Sequence, residues 1–567
     1  MRKWAIGLML ALAPMGVLAQ PEGPPLSSND PTAVIAKPKT PSEPISPPPA
    51  AKTAEGVDSA PRFVLTTVAF EGAKAVPERR LAPAWREYRG KNVSLADLRA
   101  IARRAEAIYA RSGYPFVAVV LNPQRVVGGA VRYKVVEGHI SDLTILGANL
   151  VARRQAAAAF QPLVDKSPLT GADVEAAYER ASAIPGLAVA GALNRGSVPG
   201  GMDLLIQAKR EEWQFYANAN NLYPDALGPW GALLGVNHYG GSRYGDEESA
   251  QVYESLDGGR QTVARASYER GLDASGTTLS LTALGAWADP GREVAPLDLA
   301  TNVATGRIAV TQPIISRLSQ SLSATVAFEA NDQKTDVFGK VGLTDDKLRI
   351  FSIGLDGEWR FDDGGRIAMS AELRQGMPIL GASEKGDPLL SREGADPDAT
   401  VSRISLEGVT PRADYVRFVV RVDGQLASAP LTAPEQYEVG NLTIGRGYQP
   451  GSIFGDDVVA ASAEMRFGPI SAFRKVQIEP FGFYDAVRVW TRTPGDQIDR
   501  TLTSLGGGVR LETPRHLHID LTYAKALDSP LGFGEPVPRG MVLVNVTVGL
   551  NDLFDDLRRH FTSGVAK

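Results

Sequence analysis

The sequence predicts a mainly β protein, a sixteen-stranded antiparallel transmembrane β-barrel preceded by two small α/β domains. Three observations predict it. From Glu211 onward the chain divides into sixteen segments of roughly ten residues with a period of two, parted by Gly, Asp, Pro and Asn. Before them stand two short stretches of like α/β order, and before those an apolar run that reads as an export leader.

In chain order, Met1-Arg2-Lys3 and the apolar run from Trp4 to Ala19 form a signal peptide, 1–19, cut after Ala19. The run is shorter than the roughly 20 residues of a spanning helix, and no later segment supplies one. A membrane-spanning reading is therefore a barrel reading. Residues 20–61, rich in Pro, Ser, Ala and Thr, lack the apolar content to repay ordering and read as an extended linker. The first α/β unit, 62–138, has strands at Phe63 to Phe70, Phe116 to Leu121 and Ala130 to Val136 around a helix from Leu95 to Ser112. Ser94 with Asp97 caps that helix and Gly113 stops it. The second unit, 139–209, repeats the order with Leu143 to Ile145, helices at Arg153 to Leu163 and Gly171 to Ala183, then Val189 to Asn194 and Asp203 to Ala208.

The barrel tract is 210–554, with a long loop at 427–456 between the eleventh and twelfth strands and a tail at 555–567. Its alternation is apolar against polar. Leu322, Ala324, Val326 and Phe328 share one face, opposite Ser321, Ser323, Thr325 and Glu329. Val416, Phe418, Val420 and Val422 stand opposite Arg417, Arg421 and Asp423, and Val542 to Val548 stand opposite Asn545 and Thr547. A soluble β-sandwich shares this period. An even count of long strands behind an export leader favours the membrane barrel.

Composition removes several functions. With 60 basic and 64 acidic residues the net charge is -4, so nucleic acid is not expected as a partner. The absence of Cys removes disulfides, thiolate metal sites and a cysteine nucleophile. His516, His518 and Asp520 share one face of a strand, but a polar lumen accounts for them as well as a metal does. Neither a metal nor a cofactor is expected. Asp345-Asp346 and Asp555-Asp556 read as solvated loop or tail carboxylates. No Gly-x-Ser-x-Gly elbow occurs, no catalytic residue is assigned, and the protein reads as non-enzymatic. A barrel hydrolase stays as the enzymatic alternative.

Specific motifs add a resemblance. Gly113-Tyr114-Pro115, Pro123-Gln124 and Val135-Val136-Glu137-Gly138 resemble the first polypeptide-transport-associated (POTRA) domain of two-partner secretion transporters, the haemolysin secretion/activation type. Ile444-Gly445-Arg446-Gly447-Tyr448, followed by Pro450-Gly451, resembles the sixth-loop tip of the superfamily that these transporters share with BamA-like proteins. The resemblance implies that the loop folds into the lumen and that its Arg pairs with a wall Asp. Pro480-Phe481-Gly482-Phe483-Tyr484-Asp485 is similar to the wall motif, so Arg446 is expected against Asp485, with Phe481 and Phe483 packing the tip. Glycines suit a sharp, crowded turn, and a confined Arg needs a carboxylate.

The function implied is an outer-membrane pore that secretes one large unfolded exoprotein (TpsA type) from periplasm to surface. Its other partners would be outer-membrane lipid and the barrel assembly machinery for its own insertion. The alternatives are an assembly factor of the same superfamily and a passive porin. Cargo would add a strand to an open POTRA edge, with Val117, Val119 and Leu121 as the candidate strand. Two departures stand out: no amphipathic plug helix is readable in 20–61, and the chain runs past Phe554 instead of ending on an aromatic.

Overall fold

Alternating strands that leave no edge unpaired must close on themselves in lipid, where a bare N–H or C=O has no water to bond. In the computed structural model they do. Residues 62–551 are described, except 165, 318, 340, 473–475, 493–497, 514–516 and 533–534. The expected leader, the linker, His516, Phe554 and the tail lie outside the described residues. Sixteen antiparallel strands run from Trp213–Asn220 to Met541–Gly549, each paired with the next, and the last closes on the first.

The two faces of the wall divide as the period requires. On the seventh strand (Gln320–Val337) Val326 is exposed outward, while Glu329 and Asn331 are buried inward. On the eleventh (Val416–Ala427) Phe418, Val420 and Leu426 face out, opposite buried Asp423 and Gln425.

Three strands are nearly twice the expected length of roughly ten. The sixth (Ala300–Arg317), seventh and eighth (Val341–Arg360) have 18, 18 and 20 residues. Their hairpins stay paired beyond the apolar belt. The outward row of the eighth strand passes from Leu355, Ile353 and Phe351 to Arg349, Lys347 and Asp345, and this change of character marks the exit from lipid. The expectation that Asp345-Asp346 lies in a solvated loop is corrected by this extension. Both residues belong to the eighth strand, and Asp346 is buried, accepting the Ser391 N–H.

The closing seam is thin. The sixteenth strand meets the first over five residue pairs, Asn545↔Asn220 to Gly549↔Tyr216, whereas the first and second share eight. Asparagine side chains extend it at both ends. Asn221 accepts from Val544 N–H at 2.6 Å and donates to Val542 O at 2.8 Å. Asn551 accepts from Phe215 N–H at 2.7 Å and donates to Trp213 O at 2.6 Å.

Each α/β unit is a three-stranded mixed sheet with the last strand central. In the first, Thr67–Glu71 lies parallel and Ala118–Val120 antiparallel to Ala130–Val136. Ser94 and Asp97 form a reciprocal capping box at the helix Leu95–Arg111, as the sequence predicts. Glu137 pins the loop after the first strand by accepting from Lys74 N–H at 2.9 Å and Ala75 N–H at 2.6 Å. In the second unit, His139–Leu146 lies parallel and Leu187–Arg195 antiparallel to Gly201–Arg210.

The second unit is fastened to the barrel. Fully buried Gln155 donates to Ser242 O at 2.8 Å in the turn between the second and third strands, and accepts from Arg210 at 2.7 Å. Arg154 donates to Gly241 O in the same turn at 3.0 Å. The chain then passes from Arg210 into the first barrel strand within two residues.

Candidate functional site: the sixth-loop tip and its wall

The loop at 428–456 is built as a hairpin arm. Tyr437–Val439 pairs antiparallel with Ile453–Gly455, and the tip 445–448 lies between these limbs. Val439, Ile444, Tyr448 and Ile453 pack against Val458, Ala460, Val487, Val489, Leu502 and Ala526, so apolar burial draws the arm onto the inner wall. Two glycines allow the approach. Gly445 has φ +122°, and a Cβ on Gly447 would stand 2.5 Å from Ala526 N. Tyr448 is fully buried, its hydroxyl donating to Thr503 O at 2.8 Å and accepting from Asp528 N–H at 3.2 Å.

Arg446 carries the polar contacts of the tip. Its Nε donates to Asp485 Oδ2 at 3.0 Å and Nη2 to Asp485 Oδ1 at 2.8 Å, a two-point fork of the kind a lysine cannot form. Nη1 reaches Glu464 Oε2 at 2.6 Å, Nη2 reaches Ser462 Oγ at 2.8 Å, and the main-chain N–H of Arg446 also donates to Asp485 at 3.0 Å. The guanidinium lies over the Phe483 ring, 3.5 Å from its centroid. Asp485 is wholly buried on the thirteenth strand (Gln477–Trp490) and Glu464 nearly so on the twelfth (Asp457–Phe467).

The wall is prepared for this load. Ser462 and Asp485 are register partners, and the Ser462 hydroxyl donates to Asp485 at 2.7 Å. Glu464 is held by Arg466 at 2.6 Å and Arg510 at 2.7 Å, and Arg510 also reaches Asp520 at 3.0 Å. Gly506 and Gly508 on the fourteenth strand (Asp499–Glu512) leave recesses for two rings. A Cβ there would come within 2.7 Å of Phe483 and 2.8 Å of Phe481.

The rings have separate tasks, which alters the expectation that both pack the tip. Phe483 lies beneath Arg446, whereas Phe481 lies beneath Arg510 at 4.0 Å, and both rings pack with Ala524 and Leu543. Asp520, weighed as a metal ligand with His516 and His518, is engaged with Arg510 and Thr522.

Three contributors escape sequence reasoning. Ser462 and Glu464 stand on the inward row of the twelfth strand, and that row is a readable signal. Their meeting with Arg446 depends on register and loop path, which are not. Asp456, at the root of the loop, is completely buried. It accepts from Arg392 of the fifth loop at 2.6 Å, from Leu431 N–H at 3.1 Å and from Arg492 N–H of the seventh loop at 2.7 Å, tying three loops together.

Comparison with known proteins now bears on this assembly. Residues 63–138 match the family model described as "POTRA domain, ShlB-type", and residues 307–511, which span the loop tip and both wall strands, match "Haemolysin secretion/activation protein ShlB/FhaC/HecB". The chain thus carries both domains of the haemolysin secretion/activation type. A heme/hemopexin transporter protein, HuxB of Haemophilus influenzae strain Rd, is 22% identical over 478 residues, covering 79% of this chain and 80% of HuxB.

Solved structures share the fold. CdiB from Escherichia coli superposes with a TM-score of 0.70 at 16% identity, covering 89% of this chain and 94% of CdiB. CdiB from Acinetobacter baumannii gives 0.62 at 14%, covering 89% and 94%. The family is one of outer-membrane two-partner secretion transporters with periplasmic POTRA domains, so the α/β units face the periplasm and the sixth loop belongs to the surface end of the barrel.

In the first POTRA domain the expected cargo strand is largely turned inward. Val117 and Val119 are buried core residues and Leu121 packs against them, because the period of two puts all three on the face toward the helix. Their side chains are thus committed to the core, and what this strand can offer an added strand is its main chain. The strand proper is only Ala118–Val120, at the sheet edge, and its Val119 N–H donates to Glu106 at 3.0 Å. Phe116 packs against the core of the second domain.

Proposed function

We propose that this protein is the translocation pore for one unfolded partner exoprotein of the TpsA type, carried from the periplasm to the cell surface, with Arg446 and Asp485 as the lock of the lumen loop. The observation that carries the reading is a hairpin arm pinned inside a closed barrel by a buried fork, with two POTRA domains fastened at the entrance. A passive porin has no use for a locked arm or for POTRA domains. An assembly factor of the same superfamily is the competing reading.

Residues 1–19 serve as the export leader in this scheme, and barrel assembly machinery inserts the chain into outer-membrane lipid against the belt that includes Phe418, Val420 and Val326. Cargo enters as an extended strand on a POTRA sheet edge. Main-chain pairing suits an unfolded client, since it asks little of side chains. At the edge Ala118–Val120, the incoming strand displaces Glu106 from Val119 N–H. Deleting the gene should remove one large exoprotein from the medium and cell surface while other outer-membrane barrels stay at normal levels. A general fall in outer-membrane barrels would favour the assembly factor and refute secretion.

A further inference from the structure

Loop six touches the wall at a second place, with its charges reversed. Before the hairpin arm, the one-turn helix Ala433–Glu435 ends on a carboxylate whose side chain is only 13% exposed. Arg374, on the ninth strand (Arg366–Gly376) and 5% exposed, grips Glu435 with a fork: Nη2 to Oε1 at 2.9 Å and Nε to Oε2 at 3.1 Å. Arg403, on the tenth strand (Thr400–Val409), donates to the main-chain O of Glu435 at 3.2 Å and stands 3.6 Å from its carboxylate. Gln425 of the eleventh strand donates to the same carbonyl at 3.1 Å. Arg374 also bonds Glu329 of the seventh strand at 3.1 Å. The tip thus brings a cation to acidic residues on strands twelve and thirteen, and the base of the loop brings an anion to basic residues on strands nine and ten.

We infer that Glu435 is a second anchor of the loop, a positioning residue that holds its base over strands nine to eleven independently of Arg446. The two contacts share no residue and engage different stretches of wall. Freeing Arg446 alone releases the tip while the base stays seated, and the lumen clears fully only when Glu435 leaves Arg374 as well. The inference rests on the pore reading proposed above and adds a second release step. Glu435 loses both bonds of the fork together when it leaves Arg374, so this anchor favours two states, seated and free, over a continuum.

The test uses the whole protein in planar bilayers without cargo and reads the fraction of time the channel conducts. Glu435→Gln keeps the shape and removes the charge. It should raise the conducting fraction about tenfold, the size expected for losing one charge-assisted contact. The double variant with Arg446→Ala should rise by the product of the two single effects, because separate anchors add in free energy. Glu435→Asp keeps the charge but is too short for the fork, so it should fall between wild type and Glu435→Gln, and it guards against misfolding of the neutral variant. Heat-modifiable migration on gels reports that each barrel is folded.

Conducting fractions at the wild-type level for both position-435 variants, with Arg446→Ala raised, would overturn the second anchor and leave the pore reading standing. Normal export of the exoprotein from a strain lacking this gene would instead refute the pore reading, whatever the bilayers show.

Discussion

Replacing Arg446 with Ala should leave a folded barrel that secretes very little. The magnitude follows from what remains. Asp485, wholly buried, loses two charge-assisted bonds but keeps the Ser462 hydroxyl and the main-chain N–H of residue 446. Glu464 keeps Arg466 and Arg510. The cost therefore belongs at the lower end of the range for breaking a buried pair, about 3 kcal/mol. That shifts the seated-to-free ratio of the loop roughly 150-fold. Asp485→Asn should cost less, about 1.5 kcal/mol or roughly tenfold, because Arg446 retains Glu464 and Ser462. Lys at position 446 should restore part of the loss, since an ammonium supplies charge without the fork. The assay is secreted exoprotein normalised to barrel in the outer membrane, for Arg446→Ala, Asp485→Asn and the pair together. If the two residues form one unit, the double variant falls only slightly below Arg446→Ala. Strictly multiplicative losses would refute the lock.

Gly447→Ala should phenocopy Arg446→Ala with a normal barrel level on gels, because its Cβ would meet the Ala526 and Lys525 main chain, which cannot yield. Removing both seam asparagines, Asn221→Ala with Asn551→Ala, should lower the temperature at which the folded band converts to the unfolded one, each lost bond costing about 1 kcal/mol. Ser94→Ala should weaken the helix Leu95–Arg111 by about 1 kcal/mol, read as faster amide exchange in its first turn. The main-chain and hydroxyl bonds of Ser94 hold the Asp97 carboxyl below its ordinary value of 3.8. That capping contribution is present above this value and fades as pH falls through the lower folded one, so the protection factors of the same amides should fall on acidification in wild type and fall less in Ser94→Ala, which keeps only the main-chain bond to Asp97.

Local rules carried much of the fold to the reader of the sequence. Alternation such as Val416 to Val422 against Arg417 and Asp423 reports lipid on one side and a polar lumen on the other, and it needs only near neighbours. The capping box at Ser94 and the glycine stop at Gly113 are likewise local. Strand length was harder, since the sixth to eighth strands stay paired after leaving lipid and the period does not end where the membrane does. The tip was readable through its motif, but Ser462, Glu464, Asp456 and Glu435 meet their partners only through register across distant strands. At Val117 and Val119 alternation locates an edge strand without saying which of its faces looks inward.

The contacts that seat the sixth-loop tip also impose an order of events on the growth of the molecule. Arg446 waits on Glu464 and Asp485, Tyr448 on Thr503 and Asp528, and Gly447 on Ala526, every one of them later in the chain than the tip itself. A barrel still missing its fourteenth and fifteenth strands has nowhere to put Tyr448. The arm therefore docks late, and a docked arm certifies that the C-terminal strands are already in register. Docking of the loop is in this way contingent on completion of the wall that it docks against.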